Sequence, residues 1–145
     1  MNNRMLPVLL FLVLVISAPL FSQSAAKLET LLEIPALTWE QTAAFVREAA
    51  PLAADAEQQW LPKGASPGDT ARLNGVALLL MRSFNIKGGL FFRIAESPHH
   101  AYRELVYKNV IRANTDPDMP VSGQHLLLMV NRLLALSENT EGVSK

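Results

Sequence analysis

Two stretches of the chain repeat one another. Asn74-Gly75 is followed by Leu78-Leu79-Leu80-Met81, and Ser122-Gly123 by Leu126-Leu127-Leu128-Met129, at a constant spacing of 48 residues, from 74 to 122. A weaker third copy runs from Leu37-Thr38 through Ala43, Ala44, Phe45 and Val46. Such a repeat constrains the fold more than any single motif, because each copy is a supersecondary unit whose apolar face is covered by its neighbours. Thr38, Asn74 and Ser122 are residue types whose side chains accept from the free N–H groups of a helix's first turn, and Gln41 stands at the capping-box distance from Thr38. Leu37, Leu73 and Val121 precede them, as a hydrophobic staple requires. The spacing predicts helices over 38–50, 74–85 and 122–136. The middle parts of the last two are apolar nearly all round, as in a helix buried between neighbours.

Two further helices are predicted over 53–60, which stops at Leu61-Pro62-Lys63-Gly64, and over 99–108, where Tyr102, Leu105 and Val106 share a face. Each leads into a turn-rich passage, Ser66-Pro67-Gly68-Asp69 in one case and Thr115-Asp116-Pro117-Asp118 in the other. The apolar run Leu90 to Ile94 after Lys87-Gly88-Gly89 predicts one short extended segment. The residues from Ser137 are polar, so 137–145 is expected to be a flexible tail. The expectation is an all-α fold, a small bundle of helix-loop-helix repeats.

The chain begins with the layout of a secretory signal peptide: Arg4, the unbroken apolar run Leu6 to Ile16, then Pro19 and the small residues Ser22 to Ala26. The run is shorter than the roughly 20 apolar residues that span a bilayer. Cleavage after Ser24 or Ala25 is expected, giving a signal peptide over 1–25, a helical domain over 26–136 and no stable membrane span afterwards. Export is expected, to the periplasm or outer cell envelope of a bacterium.

Composition narrows the chemistry. The 145 residues carry 13 basic and 13 acidic side chains and no cysteine. Without a clustered excess of Lys and Arg, no nucleic-acid partner is expected. The absence of cysteine removes disulfides, thiolate catalysis and cysteine-ligated metals. The neighbours His99 and His100 would point about 100° apart on a helix and do not chelate together. Asp116-Pro117-Asp118 suggests a calcium loop, yet counting from Asp116 puts Leu127 where a bidentate Glu is needed. No nucleophile elbow, zinc-protease motif or phosphate-cradling glycine loop is present. Neither an enzyme nor a cofactor is expected.

A short helix, a turn cluster of Asp, Pro and Gly, and a capped second helix resemble surface-layer homology (SLH) repeats. The resemblance rests on Val110-Ile111, Asp116-Pro117-Asp118, Val121-Ser122 and the Leu126 to Leu134 run in one unit. In a second it rests on Trp60-Leu61, Lys63-Gly64, Pro67-Gly68-Asp69, Leu73-Asn74 and the run from Val76 to Phe84. Leu37-Thr38-Trp39-Glu40-Gln41 is similar to the second-helix start of a truncated third. The chain is also similar to divergent SLH-like domains of spirochaete envelope proteins. The resemblance implies a pseudo-threefold helical bundle that anchors an exported protein to cell-wall glycan, the sugar lying between repeats. In the family, an arginine in the second helix's first turn helps hold an anionic saccharide. The matching positions here read Thr38-Trp39-Glu40-Gln41, Asn74-Gly75-Val76-Ala77 and Ser122-Gly123-Gln124-His125, with no arginine.

The resemblance therefore directs attention to the cations in or just before the two turn-rich loops, Lys63, Arg72 and Arg112, and to the aromatic Trp39. Each cation is either a solvated loop charge or a donor to an anionic sugar. Trp39 and Trp60 either pack in the core or offer a stacking face. The expected function is a non-enzymatic envelope module that binds cell-wall glycan. The alternative is a protein-interaction or self-assembly module whose partner is another envelope protein.

Overall fold

In a computed structural model, residues 25–50 and 61–141 are described, with only the backbone for 139–141. Residues 1–24 of the expected signal peptide, Trp60 and the predicted helix 53–60 lie outside the described residues. The fold is all-α. α1 covers 25–33, α2 Trp39–Ala49, α3 Leu73–Ser83, α4 Leu90–Ile94, α5 Pro98–Tyr107 and α6 Gly123–Glu141. Only two isolated antiparallel bridges, Thr38 with Thr70 and Arg72 with Pro120, interrupt the helical pattern among the described residues.

The helix starts follow from their caps. Thr38 and Gln41 form the reciprocal box, the Gln41 N–H donating to Thr38 Oγ1 at 3.3 Å and the Thr38 N–H to Gln41 Oε1 at 3.0 Å. Ser97 accepts from the His100 N–H, with Pro98 at the first helical position where no donor is needed. Ser122 accepts from the His125 N–H. α3 and α5 both end on an asparagine in the left-handed region, Asn85 at φ 48° and Asn109 at φ 59°. Beyond them the Ile86 and Val110 N–H groups return to Met81 and Leu105 carbonyls at 2.9 Å, closing the last turn.

At α3 the cap differs from the sequence expectation. The residue before the helix is Arg72, whose side chain caps nothing, and Asn74 lies inside the first turn. The orphan donors find backbone partners instead: Leu73 N–H donates to Met119 O at 3.1 Å and Asn74 N–H to Pro117 O at 2.8 Å. A side-chain cap is redundant where a neighbouring loop supplies the acceptors.

That places the structural repeat at 50 residues, from Arg72 to Ser122, and not at 48. The preceding loops agree: Gly64 and Asn114 both have positive φ, 82° and 67°, and Asp69 N–H to Ser66 O is matched by Met119 N–H to Asp116 O. The Leu-Leu-Leu-Met identity is out of step by two residues, which on a helix is more than half a revolution. Leu80 is consequently 0% exposed and its 48-residue counterpart Leu128 is 44% exposed.

Three buried residues just before the helix starts tie the copies together. Leu37 N–H donates to Val121 O at 2.8 Å, Val121 N–H to Ala71 O at 3.1 Å, and Ala71 N–H to Leu37 O at 2.8 Å, a closed pseudo-threefold ring. An outer set runs in the opposite sense, Trp39 N–H to Asp69 O, Leu73 N–H to Met119 O and Gly123 N–H to Ile34 O. In the first copy α1 leads through 34–36 directly to the ring, without the long loop of the other two. Val76, Leu80, Leu105, Ile111, Leu126 and Met129 pack with the ring residues into one core.

One further expectation is corrected, and one helix is longer than expected. The run Leu90–Ile94 is helical, not extended: Arg93 N–H bonds to Gly89 O at 3.1 Å and Ala95 N–H to Phe91 O at 3.0 Å. It has one inward residue, Phe92, packed on Gly88, so the contact that fixes it is local and helical. α6 continues past the predicted end at 136 to Glu141, so the expected flexible tail begins as helix, with Ser137 Oγ donating to Leu134 O at 2.7 Å.

Candidate functional site

The helix starts and loops of the three copies meet at three quasi-equivalent junctions, and they are filled differently. Between the third copy and the first, the end of α1 sits against α6: a methyl group built on Gly123 would collide with the Leu31 carbonyl. Between the second and third, Asn74 Nδ2 donates to Asp118 Oδ1 at 2.8 Å and Arg72 Nη1 to Asp118 O at 2.7 Å, lacing the loop to α3. Between the first and second a groove of about 490 Å³ remains, its walls including Trp39, Lys63, Asp69, Arg72, Asn74 and Pro98.

Three of the four residues singled out from the sequence therefore line one groove. Trp39 is the first residue of α2 and is 3% exposed. Its ring lies on Gly75, where a methyl group would stand 2.6 Å from Cη2. Gly75 is thus required for close approach, and Trp39 works as the packed floor, with no face free for stacking. Lys63 projects from the first turn of the loop, and Arg72 is exposed at the foot of α3. Neither forms an ion pair among the described residues. Asp69, the acidic residue on the rim, accepts from the Ser66 N–H at 2.7 Å and so shapes the loop. Arg112 is exposed on the corresponding loop of the third copy and does not line the groove.

Sequence reasoning did not assign Asn74, Asp118 or Pro98 to this site. Asp116-Pro117-Asp118 builds a turn, Asp116 Oδ1 accepting from the Asp118 N–H at 2.9 Å, and Asp118 then orients Arg72 through its carbonyl. The signal was the turn chemistry itself, two Asp residues flanking a Pro. Pro98 reaches the groove only because α5 begins beside it.

The remaining polar clusters have local roles. His99 and His100 meet edge to face with ring centroids 5.8 Å apart, and His100 Nδ1 lies 2.9 Å from Ser97 Oγ and 3.1 Å from Ala95 O. Among the described residues no group of three His, Asp or Glu side chains is placed to hold a metal ion. His125 is held below the ordinary imidazole value by burial and, secondarily, by the charge of Arg132. A larger cavity of about 630 Å³ lies between α1 and α2, walled largely by Leu28, Leu31, Ile34, Ala44 and Phe45. None of Trp39, Lys63, Arg72 and Arg112 lines it. Among the described residues no helix is long and apolar enough to cross a membrane. No family model, no curated protein and no solved structure matches the chain.

Proposed function

We propose that the protein is an exported, non-enzymatic SLH-like module of the bacterial cell envelope that holds an anionic cell-wall glycan in the groove between its first two copies. The observation that carries this reading is the pair Lys63 and Arg72, two cations without a carboxylate partner among the described residues, on the walls of one groove. Arg72 is oriented by the Asp118 carbonyl, which occupies one Nη and leaves further donors for a ligand. A carboxylate or phosphate on a sugar would accept charge-assisted hydrogen bonds from both side chains. The closed ring through Leu37, Ala71 and Val121 supports the kinship with SLH repeats, and the leader Leu6 to Ile16 supports export. The role of Trp39 in this reading is to set the depth of the groove.

The test is co-sedimentation of the processed protein with purified sacculi over a salt series, with its amino terminus sequenced. Lys63→Ala with Arg72→Ala is expected to weaken binding by about tenfold or more, and most at low salt. Arg112→Ala is expected to bind as the parent does. Undiminished binding by the folded double variant would reject the site.

A further inference from the structure

α4 turns its apolar side chains away from the protein. Leu90, Phe91 and Ile94 are 67%, 74% and 75% exposed, while Phe92 between them is buried against Gly88. At about 100° per residue, Leu90, Ile94 and Phe91 fall within roughly 100° of one another and Phe92 points to the opposite side. The helical turn is therefore anchored by one phenylalanine and presents three large apolar groups as a convex knob. The base is also fixed, since Gly89 packs close to the Glu104 carboxylate of α5.

The charges around the knob have one unpaired sign. Glu96 is bonded to Arg82 at 3.2 Å and Glu104 lies 3.7 Å from Lys108. Lys87 and Arg93, both exposed, have no ion-pair partner among the described residues. Three protruding side chains fall short of the roughly 800 Å² per partner that a stable protein interface covers, and a convex knob offers little to a flat partner. A soft phase that closes around apolar groups and carries negative charge at its surface fits both features.

We propose that α4 is a peripheral membrane contact in which Leu90, Phe91 and Ile94 insert among the headgroups of an anionic lipid surface while Lys87 and Arg93 meet the lipid phosphates. The long stems of the two cations lie along the boundary with their charges in the headgroup layer. This contact is independent of the glycan groove.

The cysteine-free sequence allows a single label. Phe91→Cys carrying a polarity-sensitive fluorophore is mixed with vesicles of phosphatidylcholine alone and of phosphatidylcholine with an equal share of phosphatidylglycerol. Glu40→Cys on α2 serves as control, so that any binding through the leader is read separately. The label at position 91 is expected to shift to the blue on the anionic vesicles only, and the control to stay unchanged. Lys87→Gln with Arg93→Gln should lower partitioning about tenfold, and Leu90→Ser with Ile94→Ser should abolish it with the helical circular dichroism retained. No shift at position 91, or an equal shift at both positions, would overturn the proposal. Concentration-dependent self-association that is lost in the Leu90→Ser and Ile94→Ser variant, without vesicle binding, would assign the knob to a second copy of the chain instead.

Discussion

The backbone N–H of Leu37 donates to the carbonyl of Val121 at 2.8 Å, joining the first copy to the third, with both residues wholly buried. Ala71 completes the circuit, so no copy can leave without breaking two buried backbone hydrogen bonds. An unpaired buried amide or carbonyl costs about 1–3 kcal/mol, which makes the junction the natural cooperative unit of the fold. The groove lined by Lys63 and Arg72 lies between two of the copies that this ring joins.

The 50-residue register has a direct consequence for two leucines that the sequence makes look equivalent. Leu80→Ala removes a fully buried side chain and should cost about 2–5 kcal/mol in urea unfolding. Leu128→Ala, on the exposed side of α6, should cost less than about 1 kcal/mol. Equal costs would restore the 48-residue register.

Thr38 and Asn74 should also part company. Thr38→Ala breaks a capping box and is expected to cost about 1 kcal/mol. The Asn74 side chain bonds across to Asp118, so its contribution should emerge as coupling, about 0.5 kcal/mol or more, in an Asn74→Ala and Asp118→Ala double-mutant cycle. Additive effects in that cycle would contradict the lacing of the second junction.

Gly123 faces backbone, not a flexible side chain. Gly123→Ala should therefore destabilise by about 1–3 kcal/mol and loosen α1, read as faster hydrogen exchange at Ile34 and at the Gly123-equivalent amide itself. Gly68→Ala, where a methyl group meets nothing within 4 Å, is the matched control and should leave α1 unaffected.

His125 predicts a pH dependence. Its pKa is lowered from 6.5 by burial first and Arg132 second, so below that value the unfolded chain binds more protons than the folded one. Its contribution to stability is complete above pH 6.5 and is lost as pH falls through the lower folded-state value. Thermal unfolding of the parent should fall more steeply below about pH 6.5 than that of His125→Gln; identical slopes would remove His125 from the account.

Caps and staples made much of this fold legible. Thr38 with Gln41, and Leu37 and Val121 before their helices, could be placed from residue type because the chemistry is local. Asn74 misled for the same reason: its type suits a cap, but the acceptors at α3 come from Pro117 and Met119, more than forty residues away in sequence. Four identical residues then fixed the wrong register, since apolar runs match one another at several offsets. The run Leu90 to Ile94 carries no usable period at five residues, and only the packing of Phe92 on Gly88 decides its form. At the site, Lys63 and Arg72 were legible as loop cations, whereas the separation of Arg112 from them follows from which junction each loop closes.

The most direct test of the groove is a nuclear magnetic resonance titration of the processed protein with soluble anionic fragments of purified sacculi. Signals of Lys63, Arg72 and the Trp39 indole are expected to move together and saturate with one affinity, while Arg112 and Phe91 stay still. Unmoved Lys63 and Arg72 signals, or shifts centred on another face, would contradict it.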